Sequence, residues 1–153
     1  MNIRAYRKRD ATHITELFHE SVHAISDELY TPKEKEAWAP TPPDYEIWEK
    51  RLEKKRPFVG LLDNRIVGFI ELEIDGHIDC FYVHNKYQNC GIGSSLLKKV
   101  IQVAKKNGLN SLYTEASIVA EPIFKKHGFV RQRRNEVEFN GQILINFSMA
   151  LSF

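Results

Sequence analysis

The sequence contains only two cysteines in 153 residues, Cys80 and Cys90, and it lacks any long run of apolar residues. Two cysteines without a CxxC pair exclude a disulfide framework and give no indication of a metal site. The longest apolar runs, counting glycine, are Phe58–Leu62 and Ile66–Ile70. Both fall far below the roughly 18 residues of a membrane span. No apolar segment follows the basic N-terminus, so no secretory signal is expected.

An excess of charge of one sign is also missing. Lys and Arg number 22 against 20 Asp and Glu, which argues against a nucleic-acid-binding domain. The apolar fraction is 42%, with nine Phe, six Tyr and two Trp, enough to form a substantial core. We therefore expect one domain over residues 1–153, cytoplasmic and without nucleic-acid or membrane partners.

The periodicity of the apolar residues alternates between two and about 3.6, which is typical of a mixed α/β or α+β domain. Asn2–Arg7 is predicted to be a strand, and Asp10 to be the N-cap of a first helix. Thr31-Pro32 is interpreted as a chain break before a single helical turn over Lys33–Ala39. Asp44–Lys55 is predicted to be an amphipathic helix with Tyr45 and Trp48 in its core face.

The remainder of the chain is predicted to form hairpins around one long helix. Turn residues at Asp63-Asn64, Asp75-Gly76 and Asn140-Gly141 favour tight antiparallel connections. The long helix begins at Gly91 and ends at Asn107-Gly108. The predicted strands are Phe58–Leu62, Ile66–Ile74, His77–Val83, Leu109–Ala116, Phe129–Phe139 and Gln142–Leu151, with a short helix over Ala120–Lys126.

A glycine-rich loop connects the strand His77–Val83 to the long helix. Gly91 and Gly93 leave the first N–H groups of that helix accessible to an anion, and Ser94 adds a hydroxyl. A Walker loop is excluded because no lysine follows Gly93. A dinucleotide-binding loop fits less well, because Leu96 stands at its third glycine position.

These residues resemble the Gcn5-related N-acetyltransferase (GNAT) superfamily. Its Q/R-x-x-G-x-G/A signature matches Gln88, Gly91 and Gly93, after a strand that ends in Phe81-Tyr82-Val83. A second family motif matches Ser117, Ala120, Phe124, Lys126, Gly128 and Phe129. The order of the predicted elements is also that of the superfamily. The resemblance implies a central, mostly antiparallel and splayed sheet of six to seven strands, flanked by about four helices.

The resemblance further implies direct transfer of an acetyl group from acetyl-CoA to a primary amine of a small molecule or peptide, without a metal. The loop would bind the pyrophosphate through Gln88, Asn89, Cys90, Gly91, Ile92, Gly93 and Ser94. The pantetheine arm would enter the splay beside Phe81 and Val83, with further contacts from Ser117 and Phe124. Phe124 occupies the position of the tyrosine that many members use as an acid, so this role is vacant or served elsewhere. A non-catalytic acyl-CoA-binding or nucleotide-binding regulatory module is the alternative.

Several side chains are candidates for proton transfer and acceptor binding. Asp79 is the preferred base, and alternation is expected to place His77, Asp79 and Phe81 on one sheet face; Glu115 is the alternative base. The available acids are Tyr82 and Tyr113. Tyr30 and Trp38, in predicted irregular chain, are candidates for binding a cationic acceptor. The resemblance also makes a homodimer a possible assembly, with the last hairpin as the candidate contact.

Overall fold

The computed structural model describes residues 1–153 as one mixed sheet with helices on both faces. Five helices are present: α1 Ala11–His23, α2 Pro32–Trp38, α3 Tyr45–Lys55, α4 Ile92–Lys106 and α5 Glu121–Lys126. The strands are β1 Asn2–Ala5, β2 Phe58–Leu62, β3 Arg65–Leu72, β4 His77–Val83, β5 Ser111–Ser117, β6 Val130–Phe139 and β7 Gln142–Ser152. Short 3-10 turns occur at Lys8–Asp10 and Asn85–Tyr87.

The seven strands form a single sheet in the order β1-β2-β3-β4-β5-β7-β6. All neighbouring pairs are antiparallel except β4 and β5, which run parallel at the centre. The three predicted hairpin turns use left-handed backbone, with φ of 62° at Asn64, 99° at Gly76 and 83° at Gly141. The predicted mixed, mostly antiparallel sheet is thereby confirmed, with seven strands and five helices.

Two hydrophobic cores cover the two faces of the sheet. The core beneath α4 includes Leu96, Leu97 and Val100, which are fully buried against β3 and β5. The other core joins α1 and α3 to the sheet through Ile14 and Leu52, also fully buried. None of the helices combines the length and apolar character that crossing a membrane would require.

The helix α2 is longer than the single turn predicted from the sequence. Thr31-Pro32 begins this helix instead of breaking the chain: the Thr31 hydroxyl accepts from the N–H of Glu34, and the Glu34 carboxylate accepts from the N–H of Thr31. This is a capping box, and proline is favourable at the first helical position because its missing N–H would be unpaired there.

The predicted capping role of Asp10 is also corrected. Asp10 is the residue before α1, but its side chain caps no N–H group of that helix. Its carboxylate instead accepts from the N–H of Arg7 and from both terminal nitrogens of the Arg4 guanidinium, at 2.7 and 2.9 Å. Asp10 thus fastens the connection from β1 to α1.

Candidate functional site

A gap opens in the middle of the sheet between β4 and β5. These strands pair only at His77 with Tyr113 and at Ile78 with Thr114. Beyond these pairs β4 continues along β3 as far as Val83, while β5 continues along β7 as far as Ser117. The facing edges of β4 and β5 therefore carry backbone groups with no partner strand, and an extended amide-bearing molecule could pair with them.

A bulge in β4 lies at the point where the gap begins. Ile78 pairs with Leu72, and Phe81 pairs with Ile70. The distance between these two pairs is therefore three residues along β4 but only two residues along β3. The expectation that Asp79 and Phe81 share a face is therefore wrong, because a bulge reverses the alternation. Phe81 packs with the core beneath α4, whereas Asp79 bonds to side chains of α3.

The loop that follows β4 presents the beginning of α4 to the same gap. Gly91 is the N-cap of α4 with φ of 82°, and Asn89 also has left-handed backbone, with φ of 61°. A Cβ atom at Gly93 would lie 2.7 Å from the Cδ1 of Ile123, so this glycine also allows α5 to pack closely. The first N–H groups of a helix have no partner within it, and they lie at the positive end of its dipole.

The glutamine of the predicted signature holds the loop against the end of β4. The Nε2 of Gln88 donates to the carbonyl of Val83 at 2.8 Å. The N–H of His84 points away from the gap, to the carbonyl of Val67. Strand alternation then turns the backbone groups of Val83 and Phe81 toward the gap, where the resemblance requires them.

Two cavities meet at this gap. The smaller cavity has a volume of about 310 Å³ and the larger cavity about 800 Å³. The larger cavity is lined by the loop residues Gln88, Asn89, Gly91, Gly93 and Ser94, and by Val83. Residues that line both cavities are Trp38, Phe81, Tyr82, Ser117 and Ala120. Two of the predicted loop residues are not among the lining side chains: Ile92 is buried in the core, and Cys90 is exposed.

Eight of the 19 residues that line the smaller cavity are aromatic. Tyr30 and Trp38, the predicted acceptor-binding residues, both line it. Trp38 lies in α2 and not in irregular chain. Trp48, assigned to the core from the sequence, also lines this cavity, whereas Tyr45 is 44% exposed. Phe139, near the tip of the β6–β7 hairpin, closes another side.

The hydroxyl of Tyr30 is fully engaged by the protein. It donates to the carbonyl of Ile145 at 2.6 Å and accepts from the N–H of Ile118 at 3.0 Å. Tyr30 is 2% exposed, and burial raises the pKa of its hydroxyl. The residue thus holds β7 to the segment after β5, and only its ring is available to a ligand.

Tyr82 lies at the junction of the two cavities. Its hydroxyl accepts from the indole N–H of Trp38 at 3.0 Å, and burial raises its pKa well above the ordinary value. The hydroxyl is therefore protonated near neutral pH. Phe124, which also lines the smaller cavity, packs edge-on against Phe81 with ring centroids 5.5 Å apart and has no proton to give.

Tyr113, the other predicted acid, is placed elsewhere. It is 41% exposed, lines neither of the two cavities, and lies at the paired end of β4 and β5. Its hydroxyl donates to the carboxylate of Asp75, which raises the pKa of Tyr113 to about 12. The geometry therefore brings Tyr82, and not Tyr113, to the gap.

Asp79 lines the smaller cavity, and its carboxylate forms ion pairs with two cationic side chains. Its Oδ2 accepts from Arg51 at 2.8 Å and from Lys55 at 2.9 Å. Burial alone would raise the pKa of Asp79, but these two partners outweigh it and lower the pKa. A carboxylate stabilised in its charged form is a weak proton acceptor.

Arg51 and Glu71 were not found by the sequence reasoning. Arg51 bonds to the fully buried Glu71 at 2.6 Å and approaches the sulfur of Cys80 at 3.2 Å. The carboxylate of Glu71 also accepts from the N–H of Cys80, within the bulge, at 3.3 Å. Burial raises the pKa of the Cys80 thiol well above its ordinary value, so Cys80 remains neutral. The only feature of the sequence that could have indicated Arg51 was its position beside the apolar residues of α3 that face the core.

His77 connects two carboxylates beside the smaller cavity. Its Nε2 lies 2.8 Å from Oε1 of Glu115, which lines the cavity, and its Nδ1 bonds to Oε1 of Glu73. Burial disfavours the charged imidazole, but the bonds to Glu73 and Glu115 outweigh it and raise the pKa of His77.

Comparison with known proteins identifies this architecture. The family model of the acetyltransferase (GNAT) domain matches residues 26–151. The chain belongs to the GNAT family of acetyltransferases. This GNAT chain is 31% identical over 149 residues to the N-acetyltransferase YafP of Escherichia coli K12, covering 97% of this chain and 94% of YafP. The family and this relative show that the chain is an N-acetyltransferase.

Solved GNAT structures share the fold over nearly the whole chain. A GCN5-related N-acetyltransferase from Rhodopseudomonas palustris superposes with a TM-score of 0.93 at 31% identity, covering 99% of this chain and 95% of the other. YncA of Salmonella typhimurium, solved with its cofactor acetyl-CoA, gives a TM-score of 0.74 at 18% identity, with coverage of 99% and 92%. At that lower identity the likeness concerns the fold alone.

Proposed function

We propose that this GNAT enzyme transfers an acetyl group from acetyl-CoA directly to a primary amine of a small molecule or peptide. The observation that carries the proposal is the meeting of the two cavities in the gap between β4 and β5. The larger cavity suits the carrier and the smaller cavity suits the acceptor. A thioester placed beside Tyr82 and Ser117 would be reachable from both cavities.

The residues of the larger cavity fit the chemical parts of acetyl-CoA. The N–H groups that follow Gly91 suit the pyrophosphate because they combine free donors with the positive end of α4. The edge of β4 that has no partner strand, at the backbone of Phe81 and the N–H of Val83, suits the amides of the pantetheine arm. Ser117 would contribute a further polar contact, and Phe124 an apolar one.

The smaller cavity fits an amine that arrives with a positive charge. An amine with a pKa near 10 is protonated at neutral pH, so it must lose a proton before it attacks. Trp38, Trp48 and Tyr82 offer aromatic faces, which attract cations. Two carboxylates that line this cavity, Asp79 and Glu115, are the candidate proton acceptors. Asp79 is neutralised by Arg51 and Lys55, so Glu115 supplies the attraction for a cation.

Tyr82 is the acid that the arrangement favours for the departing thiolate. It lines both cavities and retains its proton, whereas Phe124, at the family's usual tyrosine position, has none. In this chain the acid for the thiolate would therefore be a tyrosine of β4, in place of the tyrosine that many family members have in α5.

Thiol release from acetyl-CoA tests the proposal. We expect release that depends on an added amine, measured across polyamines, amino acids, aminoglycosides and peptides, together with an acetylated product of the expected mass. Tight binding of acetyl-CoA without release on any amine would instead favour a non-catalytic acyl-CoA-binding module. Binding of NAD without binding of CoA would favour a nucleotide-binding module.

A further inference from the structure

The two carboxylates of the smaller cavity differ in their partners. Asp79 is neutralised by Arg51 and Lys55, both on its Oδ2. Glu115 contacts no arginine or lysine, and its one side-chain partner is His77, on Oε1. The second oxygen of Glu115 is free, and its side chain is 45% exposed. Glu115 can therefore accept a proton from the cavity and release it to solvent.

The imidazole of His77 is suited to hold Glu115 in place. Both of its nitrogens face carboxylate oxygens, one of Glu73 and one of Glu115, and two acceptors require two N–H donors. His77 is thus an imidazolium that fixes the rotamer of Glu115. Its single positive charge is divided between two carboxylates, so Glu115 is not fully neutralised, whereas Asp79 accepts from two cations. The ring of Tyr113 packs against the imidazole of His77, with ring centroids 4.8 Å apart. Other charged groups around this cluster are Asp75, Asp79 and Glu71 from the strands and turn, and Arg51 and Lys55 from α3.

We infer that Glu115 takes the proton that the acceptor amine loses, and that His77, held by Glu73, is the positioning residue that keeps Glu115 directed into the cavity. This inference rests on the proposed function. His77 lies on β4 and Glu115 on β5, and their side chains meet beside the two paired positions that precede the gap.

The ammonium loses a proton before its nitrogen attacks the thioester. An N–H bond of the ammonium breaks, and an O–H bond forms on Glu115, directly or through one water. The freed nitrogen lone pair forms the N–C bond to the acetyl carbon, and the C–S bond breaks. The thiolate takes a proton from Tyr82, the second proton lost by nitrogen restores Tyr82, and Glu115 releases the first to solvent.

Glu115→Gln tests the role of the carboxylate, since glutamine retains an oxygen that can accept from His77. We expect kcat/KM to fall about 100-fold near neutral pH, with the affinity for acetyl-CoA unchanged. The difference in kcat/KM between this variant and the wild type should shrink as the pH rises toward about 9.5, because the acceptor amine is then increasingly deprotonated before it binds. Glu46→Gln, an exposed change on α3, is the matched control and should behave as wild type.

His77 is tested by His77→Ala and His77→Gln. We expect the alanine variant to lose roughly tenfold in kcat/KM and the glutamine variant to recover part of it, since an amide N–H can still donate to Glu115. A full pH-dependent loss in Asp79→Asn, with Glu115→Gln within twofold of wild type at all pH values, would overturn the inference and leave the proposed function intact. Absence of thiol release by the wild type on every amine would overturn both.

Discussion

The indole N–H of Trp38 donates to the hydroxyl of Tyr82 at 3.0 Å, and both side chains line the two cavities at their junction. Because the indole can only donate, the Tyr82 hydroxyl must direct its own proton elsewhere. The bond thus fixes the tyrosine as a donor at the place where the carrier and the acceptor would meet.

Tyr82→Phe should therefore lower kcat about 100-fold while leaving the affinity for acetyl-CoA unchanged, because phenylalanine keeps the packing and removes the acid. Steady-state thiol release and calorimetry measure the two quantities. Trp38→Phe, which removes the donor to Tyr82 and part of the ring that lines both cavities but leaves the Tyr82 hydroxyl in place, should have a smaller effect on kcat. Wild-type turnover by Tyr82→Phe would show that the thiolate leaves without this acid.

Gly91 and Gly108 provide a matched pair at the two ends of α4. Both have left-handed backbone, with φ of 82° and 80°, so an alanine at either position should cost about 1 kcal/mol of stability. Only Gly91 lines the larger cavity. Calorimetry should show weaker binding of acetyl-CoA for Gly91→Ala and unchanged binding for Gly108→Ala. Equal affinities in the two variants would contradict a role for this loop in binding the carrier.

The Asp10→Asn variant should show how the stability that Asp10 contributes to the connection between β1 and α1 depends on pH. Burial would raise the pKa of Asp10, but its bonds with Arg4 and Arg7 outweigh it and lower the pKa. The charged carboxylate therefore stabilises the fold above the ordinary pKa of about 4, and this contribution is lost as the pH falls through the lowered value.

Urea denaturation of Asp10→Asn measures this effect directly. We expect the variant to be less stable than wild type by about 1–3 kcal/mol at neutral pH, with the difference shrinking toward about pH 2. A difference that stays constant over this range would mean that the ion pair is not its source.

Tyr30→Phe should mainly affect stability. Removal of the hydroxyl leaves the N–H of Ile118 and the carbonyl of Ile145 without their partner, at a cost of about 1–3 kcal/mol. The ring remains in the wall of the smaller cavity, so KM for the acceptor should change less than threefold or so. Thermal unfolding and steady-state kinetics measure the two effects. A large rise in KM with unchanged unfolding would indicate direct contact between the hydroxyl and the acceptor.

The order of the elements along the chain and the position of the glycine loop could be predicted from the sequence, because both depend on local signals. Asn140-Gly141 specifies a tight hairpin, and Gly91 supplies left-handed backbone before α4. The family resemblance of the loop and of the segment Ser117–Phe129 supplied the mostly antiparallel, splayed sheet.

The two features that were missed depend on contacts between distant segments. The bulge at Asp79 and Cys80 is accompanied by the carboxylate of Glu71, which accepts from the N–H of Cys80 across the sheet. Arg51 enters the smaller cavity because Glu71 and Asp79 bind it. Neither contact leaves a periodic signal in the sequence, so alternation placed Asp79 and Phe81 on the same face.

The most direct measurement of the central claim is a crystal structure of the protein with acetyl-CoA. We predict that the pyrophosphate contacts the backbone N–H groups at Gly91–Ser94, that the pantetheine arm lies in the gap between β4 and β5, and that the acetyl group lies beside Tyr82. Acetyl-CoA bound outside this gap, or β4 and β5 paired along their whole length with the carrier elsewhere, would contradict the account.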